Sequence, residues 1–302
     1  MFLRFFIFNV LFLITSISVV NGYEINDLGA AGGWDNINKG DPVTTVIDQS
    51  DLTGDMSSAQ TLNALSSAFS TWDNVVGAPT LSVEYKTDSG GNYDVFDGFG
   101  GSLDQAAHWR YANIVVGGFL SQDYFLSLDP NGANILAVTW TAKLQGDGSK
   151  KPSWHSEIFF NDGWNWTDDA LVADLDLAGG LVNRLIDLES VALHEIGHAL
   201  GLGHEEELLS IMNPYYSASN RSLFADDING ISDLYSDFFS KRGGGGGKGG
   251  RGPKKMSADV LEWSFGFTEL APASVPEPST VGLLAFISVL VSSVRRKQQQ
   301  PT

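Results

Sequence analysis

Residues 187–204 read Asp187-Leu-Glu-Ser-Val-Ala-Leu-His194-Glu195-Ile-Gly-His198-Ala-Leu-Gly201-Leu-Gly-His204, with three histidines and a glutamate inside eleven residues. Leu188, Val191, Ala192 and Leu200 recur at helical spacing and Asp187 suits an N-cap, so the stretch predicts a helix of about 14 residues. Four residues rotate a helix by ~400°, which places His194 and His198 one above the other. Two imidazoles so placed can reach one Zn²⁺ at ~2.0–2.1 Å. Glu195, beside the first of them, puts a carboxylate within reach of water at the metal without ligating it. Gly201 can take the left-handed conformation that ends a helix and turns the chain, which brings His204 back as a third ligand. Three protein ligands leave one tetrahedral position open, as in a catalytic rather than a structural zinc site. A lone histidine is more often a satisfied core or surface imidazole. Here three of the chain's five histidines fall in one short pattern.

Composition narrows the field. The chain has 302 residues, a net charge of −18 and no cysteine. Without cysteine there is no disulfide scaffold, no thiolate zinc ribbon, no iron–sulfur cluster and no thiol catalysis. Residues 23–240 carry 8 basic and 32 acidic side chains, net −24, whereas 241–302 carry 9 basic and 4 acidic, net +5. A body this acidic repels nucleic-acid phosphate and anionic lipid.

The histidine pattern resembles the metzincin signature H-E-x-x-H-x-x-G-x-x-H. Past it, Ser210-Ile211-Met212-Asn213-Pro214-Tyr215 looks like the Met-turn of that clan. Further stretches resemble the matrixins within it. Residues 64–72, Ala-Leu-Ser-Ser-Ala-Phe-Ser-Thr-Trp, place Leu65, Ala68, Phe69 and Trp72 on one helical stripe. Residues 134–140, Asn-Ile-Leu-Ala-Val-Thr-Trp, look like the edge strand that borders the cleft. The run Asp226-Asp227-Ile228-Asn229-Gly230-Ile231 is similar to the family's closing helix, whose paired aspartates tie down the Met-turn. The resemblance spans roughly residues 40–239. It implies an α+β fold: a twisted mixed sheet, an active-site helix, a backing helix and a small C-terminal subdomain with Met-turn and closing helix.

There are departures from the family pattern. No cysteine is present to latch the zinc, and only about 20 residues precede the first expected strand, Val43 to Ile47, too few for a folded prodomain. In their place an acid such as Asp27 could cover the open zinc position. Phe159 stands where a ligand of the family's second, structural zinc would fall, and His108 and His155 are isolated. The acidic loop Asp129-Pro130-Asn131-Gly132 is a candidate for Ca²⁺, which favours oxygen-rich sites.

The ends of the chain address it. Residues 1–22, with Arg4 before the apolar run Phe5 to Val20, read as a secretory signal, the alternative being an N-terminal anchor. Residues 241–256 are a Gly, Lys and Arg-rich linker. Residues 257–274 alternate Trp263, Phe265 and Phe267, a pattern for one added strand with no evident function. Residues 275–297 hold Val275-Pro276-Glu277-Pro278, a short apolar run, and Arg295-Arg296-Lys297. That order resembles the PEP-CTERM sorting signal of Gram-negative bacteria, which implies an exosortase-type processing partner, transient membrane association and delivery to the cell surface or matrix. The alternative is a plain single-pass anchor, although fourteen apolar residues span only ~21 Å.

The expectation is therefore a 23–240 zinc endopeptidase with His194, His198 and His204 on the metal and Glu195 as general base and acid. An extended protein or peptide substrate would add as a strand near Ala137, and Tyr215 and Tyr216 would line the wall beyond the cut. A non-catalytic surface or matrix protein with a structural zinc is the alternative. A third reading makes Trp154, Trp164 and Trp166 a polysaccharide platform.

Overall fold

The computed structural model describes residues 42–49, 52, 55–86, 113–144, 153–179, 184–206, 209–240 and 260–270. Asp27, His108, the expected signal and linker, and the 275–297 segment lie outside them. Among the described residues no helix is long and apolar enough to cross a membrane.

The architecture is α+β, as expected. A seven-stranded mixed sheet has its strands in the order β2-β1-β3-β5-β4-β9-β8. Here β1 is Val43–Asp48, β2 Leu81–Lys86, β3 Ile114–Leu120, β4 Ile135–Leu144, β5 Ser153–Asn161, β8 Tyr215–Tyr216 and β9 Val260–Leu270. The first four strands in that order are parallel; β4 runs antiparallel to both its neighbours, and β8 is parallel to β9. A short parallel pair, β6 (Asn165–Thr167) with β7 (Leu185–Asp187), leads into the site.

Side chains alternate across a strand, so the sheet has two faces to cover. On one face Val43, Ile47, Ile114, Val116, Ile158 and Phe160 share a core with helices α1 (Ser58–Asp73) and α4 (Leu188–Ala199). On the other, Val138 and Phe159 pack with Phe125 of α2 (Gln122–Leu128). Helix α1 starts with a capping box: the Gln60 N–H donates to Ser57 Oγ, and the Ser57 N–H donates to Gln60 Oε1. Its stripe Leu65, Ala68, Phe69 and Trp72 is buried, and the Trp72 indole N–H donates to the Leu193 carbonyl at 2.8 Å. That bond ties the backing helix to the site helix.

Helix α4 departs from a one-sided amphipathic reading. Every residue from Leu188 to Ala199 except Glu189 is buried, so α4 is a core helix walled in on all sides. Asp187 is its N-cap residue but makes no side-chain bond to the helix backbone. Its carboxylate instead accepts from the Ser190 hydroxyl and from two nitrogens of Arg221, at 3.0 and 2.5 Å. Gly201, just past the helix, has φ +105°, the left-handed turn that sends the chain toward His204.

The expected edge strand is not an edge. β4 is covered on its outer side by β9, with Ala137 opposite Thr268, Val138 opposite Phe267 and Thr139 opposite Gly266. The segment given no function in the sequence thus belongs to the same sheet as the site. Helices α3 (Ala170–Gly179) and α5 (Ala225–Ser240) complete the fold.

Candidate metal centre

His194 and His198, one turn apart on α4, stand with ring centroids 4.6 Å apart; His204, from the following loop, lies 5.4 and 4.7 Å from them. One ligand atom from each of the three lies within 4.8 Å of the others. Among the described residues this is the one group of three or more His, Asp or Glu that converges in this way.

Hydrogen bonds to the far ring nitrogens orient the α4 pair. His194 Nδ1 is 2.7 Å from the Ile211 carbonyl, and His198 Nδ1 is 2.9 Å from the Leu202 carbonyl. A carbonyl can only accept, so Nδ1 carries the proton and Nε2 presents a lone pair. Both Nε2 atoms are buried with no protein partner, an arrangement costly unless a ligand completes it. Burial pushes the His194 pKa down to about 3, with His204 adding to the effect, and holds His198 well below its ordinary value. His204 is also lowered, chiefly by burial. Two neutral imidazoles with partnerless Nε2 lone pairs, converging with the third on His204, fit a zinc ion.

Glu195 is buried beside them. Its Oε2 accepts from the Thr139 hydroxyl and its Oε1 from the Thr268 hydroxyl, both at 2.6 Å. Burial raises its pKa to about 8, opposed by these hydrogen bonds. A divalent cation at the imidazoles would draw the carboxyl back toward the ionised form, because opposite charge favours it. Sequence reasoning missed Thr139 and Thr268. Thr139 carries a signal, as a hydroxyl inside the apolar run 135–140.

The turn after His204 supports the floor. Met212 is buried, and its sulfur lies against Gly197, between the two α4 histidines. Asp227, at the start of α5, accepts from the Ser210 hydroxyl at 2.5 Å and from the Ile211 and Phe224 N–H groups. This is the tie expected of the aspartate pair, and Asp227 makes it. Tyr216 is buried and its hydroxyl accepts from the Asp187 N–H at 3.1 Å, so it braces the helix start, while Tyr215 is exposed.

The remaining candidates settle elsewhere. His155 is buried against Glu157, Nε2 to Oε1 2.8 Å, in a pair within β5. Phe159 is a core residue. Asp129 accepts from the Asn131 N–H at 2.6 Å within its turn. Trp166 is buried with its indole N–H on the Asn161 carbonyl, and Trp164 is half-buried against the main core, so Trp166 offers no free face to sugar.

Two imidazoles on a core helix and a third from the loop after it, floored by a methionine turn in an α+β fold, define a metallopeptidase-type centre. Residues 37–236 match the matrixin family profile, the M10 peptidases, and the chain belongs to that family, which uses a catalytic zinc. The chain is 49% identical over 70 residues to metalloendoproteinase 1 of Glycine max, a match covering 22% of this chain and 23% of that one. It is 29% identical over 147 residues to stromelysin-1 of Rattus norvegicus, covering 47% and 25%. With karilysin of Tannerella forsythia it shares 47% identity over 58 residues, covering 19% and 12%. The matches span about a quarter or less of the length of these relatives.

Proposed function

We propose that the chain is a zinc-dependent endopeptidase in which His194, His198 and His204 hold the metal and Glu195 moves the proton. The observation that carries this reading is the pair of buried, partnerless Nε2 atoms beside a third imidazole, with a buried carboxylate next to the first. Bound zinc supplies Lewis-acid polarisation of a peptide carbonyl and acidification of water. Glu195 takes the proton of the attacking water as general base and delivers it to the leaving amide nitrogen as general acid. Thr139 holds the carboxylate toward the centre. The side of β4 that β9 covers is where an extended peptide would add as a strand in place of β9, which favours loops and unfolded segments as substrates. A structural zinc site has no use for a buried carboxylate facing the centre, so Glu195 speaks against a non-catalytic role.

We further read residues 1–22 as directing export and 275–297 as a sorting segment handled by an exosortase-type enzyme, with the body at the cell surface or outside the cell of a Gram-negative bacterium. Mass spectrometry of the mature ends tests that address; a chain retaining residue 1 contradicts it. The activity is tested by adding zinc, then a chelator, to the full chain with unfolded casein. Cleavage that begins with zinc and stops with the chelator is expected, and cleavage unaffected by the chelator contradicts the reading.

A further inference from the structure

The chain's own strand β9 lies through the centre in one defined direction. It runs antiparallel to β4 on one side and parallel to β8 on the other. Read from its N-terminal end, it passes the chemical groups in order. Gly266 backs onto His198: a Cβ there would stand 2.3 Å from the imidazole, so only glycine lets the backbone approach this closely. Next, the Phe267 carbonyl oxygen is 2.9 Å from His204 Nε2. The Phe267 ring meets the His204 ring edge-on at 5.5 Å. Then the Thr268 hydroxyl donates to Glu195 Oε1 at 2.6 Å. Finally the Glu269 N–H donates to the Pro214 carbonyl at 2.7 Å.

One peptide bond is therefore bracketed. Its carbonyl oxygen sits against His204, and the residue that supplies its nitrogen, Thr268, is held on the carboxylate through its hydroxyl, which is where a substrate's reacting groups belong. Nineteen residues separate the end of α5 at Ser240 from the start of β9 at Val260. At ~3.3 Å per residue that tether can reach ~60 Å, ample for the chain to enter its own cleft.

We propose, resting on the endopeptidase reading above, that Phe267–Thr268 is the chain's own first substrate, cut in cis. Water adds across the bond, and the bond between the Phe267 carbonyl carbon and the Thr268 nitrogen breaks. The hydroxyl goes to Phe267, which becomes a C-terminal carboxylate, and Glu195 carries the water's proton to Thr268, which becomes an amino terminus. No oxidant or reductant is involved. Until the cut, β9 occupies the edge of β4 that other substrates need. The cut also parts the body from residues 268–302, which include the Pro-Glu-Pro stretch.

The test adds Zn²⁺ to the metal-free full chain and follows intact mass and new amino termini, beside the Glu195→Gln and Gly266→Leu chains. The parent is expected to yield a fragment beginning at Thr268 with a rate constant independent of chain concentration. Glu195→Gln loses that fragment. Gly266→Leu, whose strand cannot seat against His198, loses it too and still cleaves casein at least as fast as the parent. A second readout needs no metal: in Glu195→Gln the β4 amides facing β9 resist hydrogen exchange, and adding Gly266→Leu removes that protection. Casein cleavage without a Thr268 terminus, a cut whose rate constant scales with chain concentration, or β4 exchange unchanged by Gly266→Leu would each overturn this inference and leave the endopeptidase reading standing. Failure of every variant to cleave either casein or the chain, with zinc bound, overturns both.

Discussion

Gly197 and Met212 are packed so closely that a Cβ on the glycine would lie 2.3 Å from the methionine sulfur and 3.1 Å from the Trp72 ring. The glycine stands between His194 and His198, so the spacing of the site helix over its floor rests on a missing side chain. Gly197→Ala inserts a methyl group where the sulfur sits, and overpacking of this kind costs about 1–3 kcal/mol. The expected result is a lower urea midpoint together with weaker zinc binding. A midpoint equal to or above the parent's would show that the floor yields.

Asp227 holds the methionine turn from below through three donors. Asp227→Ala leaves those donors without an acceptor in a buried place, at a cost of about 2–4 kcal/mol. Asp227→Asn, which keeps one accepting oxygen, is expected to lose less. Equal losses for the two variants in chemical denaturation would mean that packing, not hydrogen bonding, carries the tie.

Arg221 neutralises Asp187, whose carboxylate is fully buried, and also reaches Glu189 at 3.1 Å. The guanidinium is partly exposed, which tempers its worth, but its removal strands a buried charge at the start of α4. Arg221→Ala is expected to destabilise by about 2–3 kcal/mol, and Arg221→Lys to recover only part, because one ammonium cannot reproduce the two-nitrogen contact. Full recovery with lysine in thermal melts would contradict the geometry.

Acid should weaken the metal-free fold through its imidazoles. His194 titrates near 3 when folded against an ordinary 6.5, and His198 and His204 are shifted the same way. A base with a depressed folded pKa takes its proton first in the unfolded chain. Stability is therefore intact above about pH 6.5 and falls as pH drops from there toward the folded values. Glu195 acts in the opposite sense between its ordinary 4.5 and about 8. In the metal-free Glu195→Gln chain that opposing slope is removed, and the urea midpoint should fall steadily from pH 6.5 to 4.5. A midpoint that rises over that interval contradicts the burial of neutral imidazoles.

Thr139 acts through Glu195. Thr139→Val removes a donor that favours the ionised carboxylate, so the acid limb of the pH–rate profile should move to higher pH. The expected loss in kcat is about tenfold, a fraction of what general base catalysis supplies in full. KM should change little. An unmoved acid limb would make Thr139 a packing residue.

Much of this was legible in the sequence because it is local. The stripe Leu65, Ala68, Phe69 and Trp72 announces a helix by period, and His194, His198, Gly201 and His204 announce a metal site by spacing. What was not legible depends on distant pairings. Trp263, Phe265 and Phe267 alternate as a strand should, yet nothing in that alternation names β4 as the partner, since strand pairing is set by the whole fold. Likewise Asp187 reads as an ordinary helix cap, and only the return of Arg221, 34 residues later, diverts its carboxylate. Thr139 lies 56 residues from Glu195 in the chain and meets it only where α4 packs on β4.

The central claim is that zinc and Glu195 together break peptide bonds. The most direct test loads the full chain and Glu195→Gln with one zinc each, adds unfolded casein, and maps every new amino terminus in either protein by mass spectrometry. New termini with the parent and none with Glu195→Gln, at equal zinc content, are the predicted result. The same termini from both chains, or none from either despite bound zinc, would contradict it.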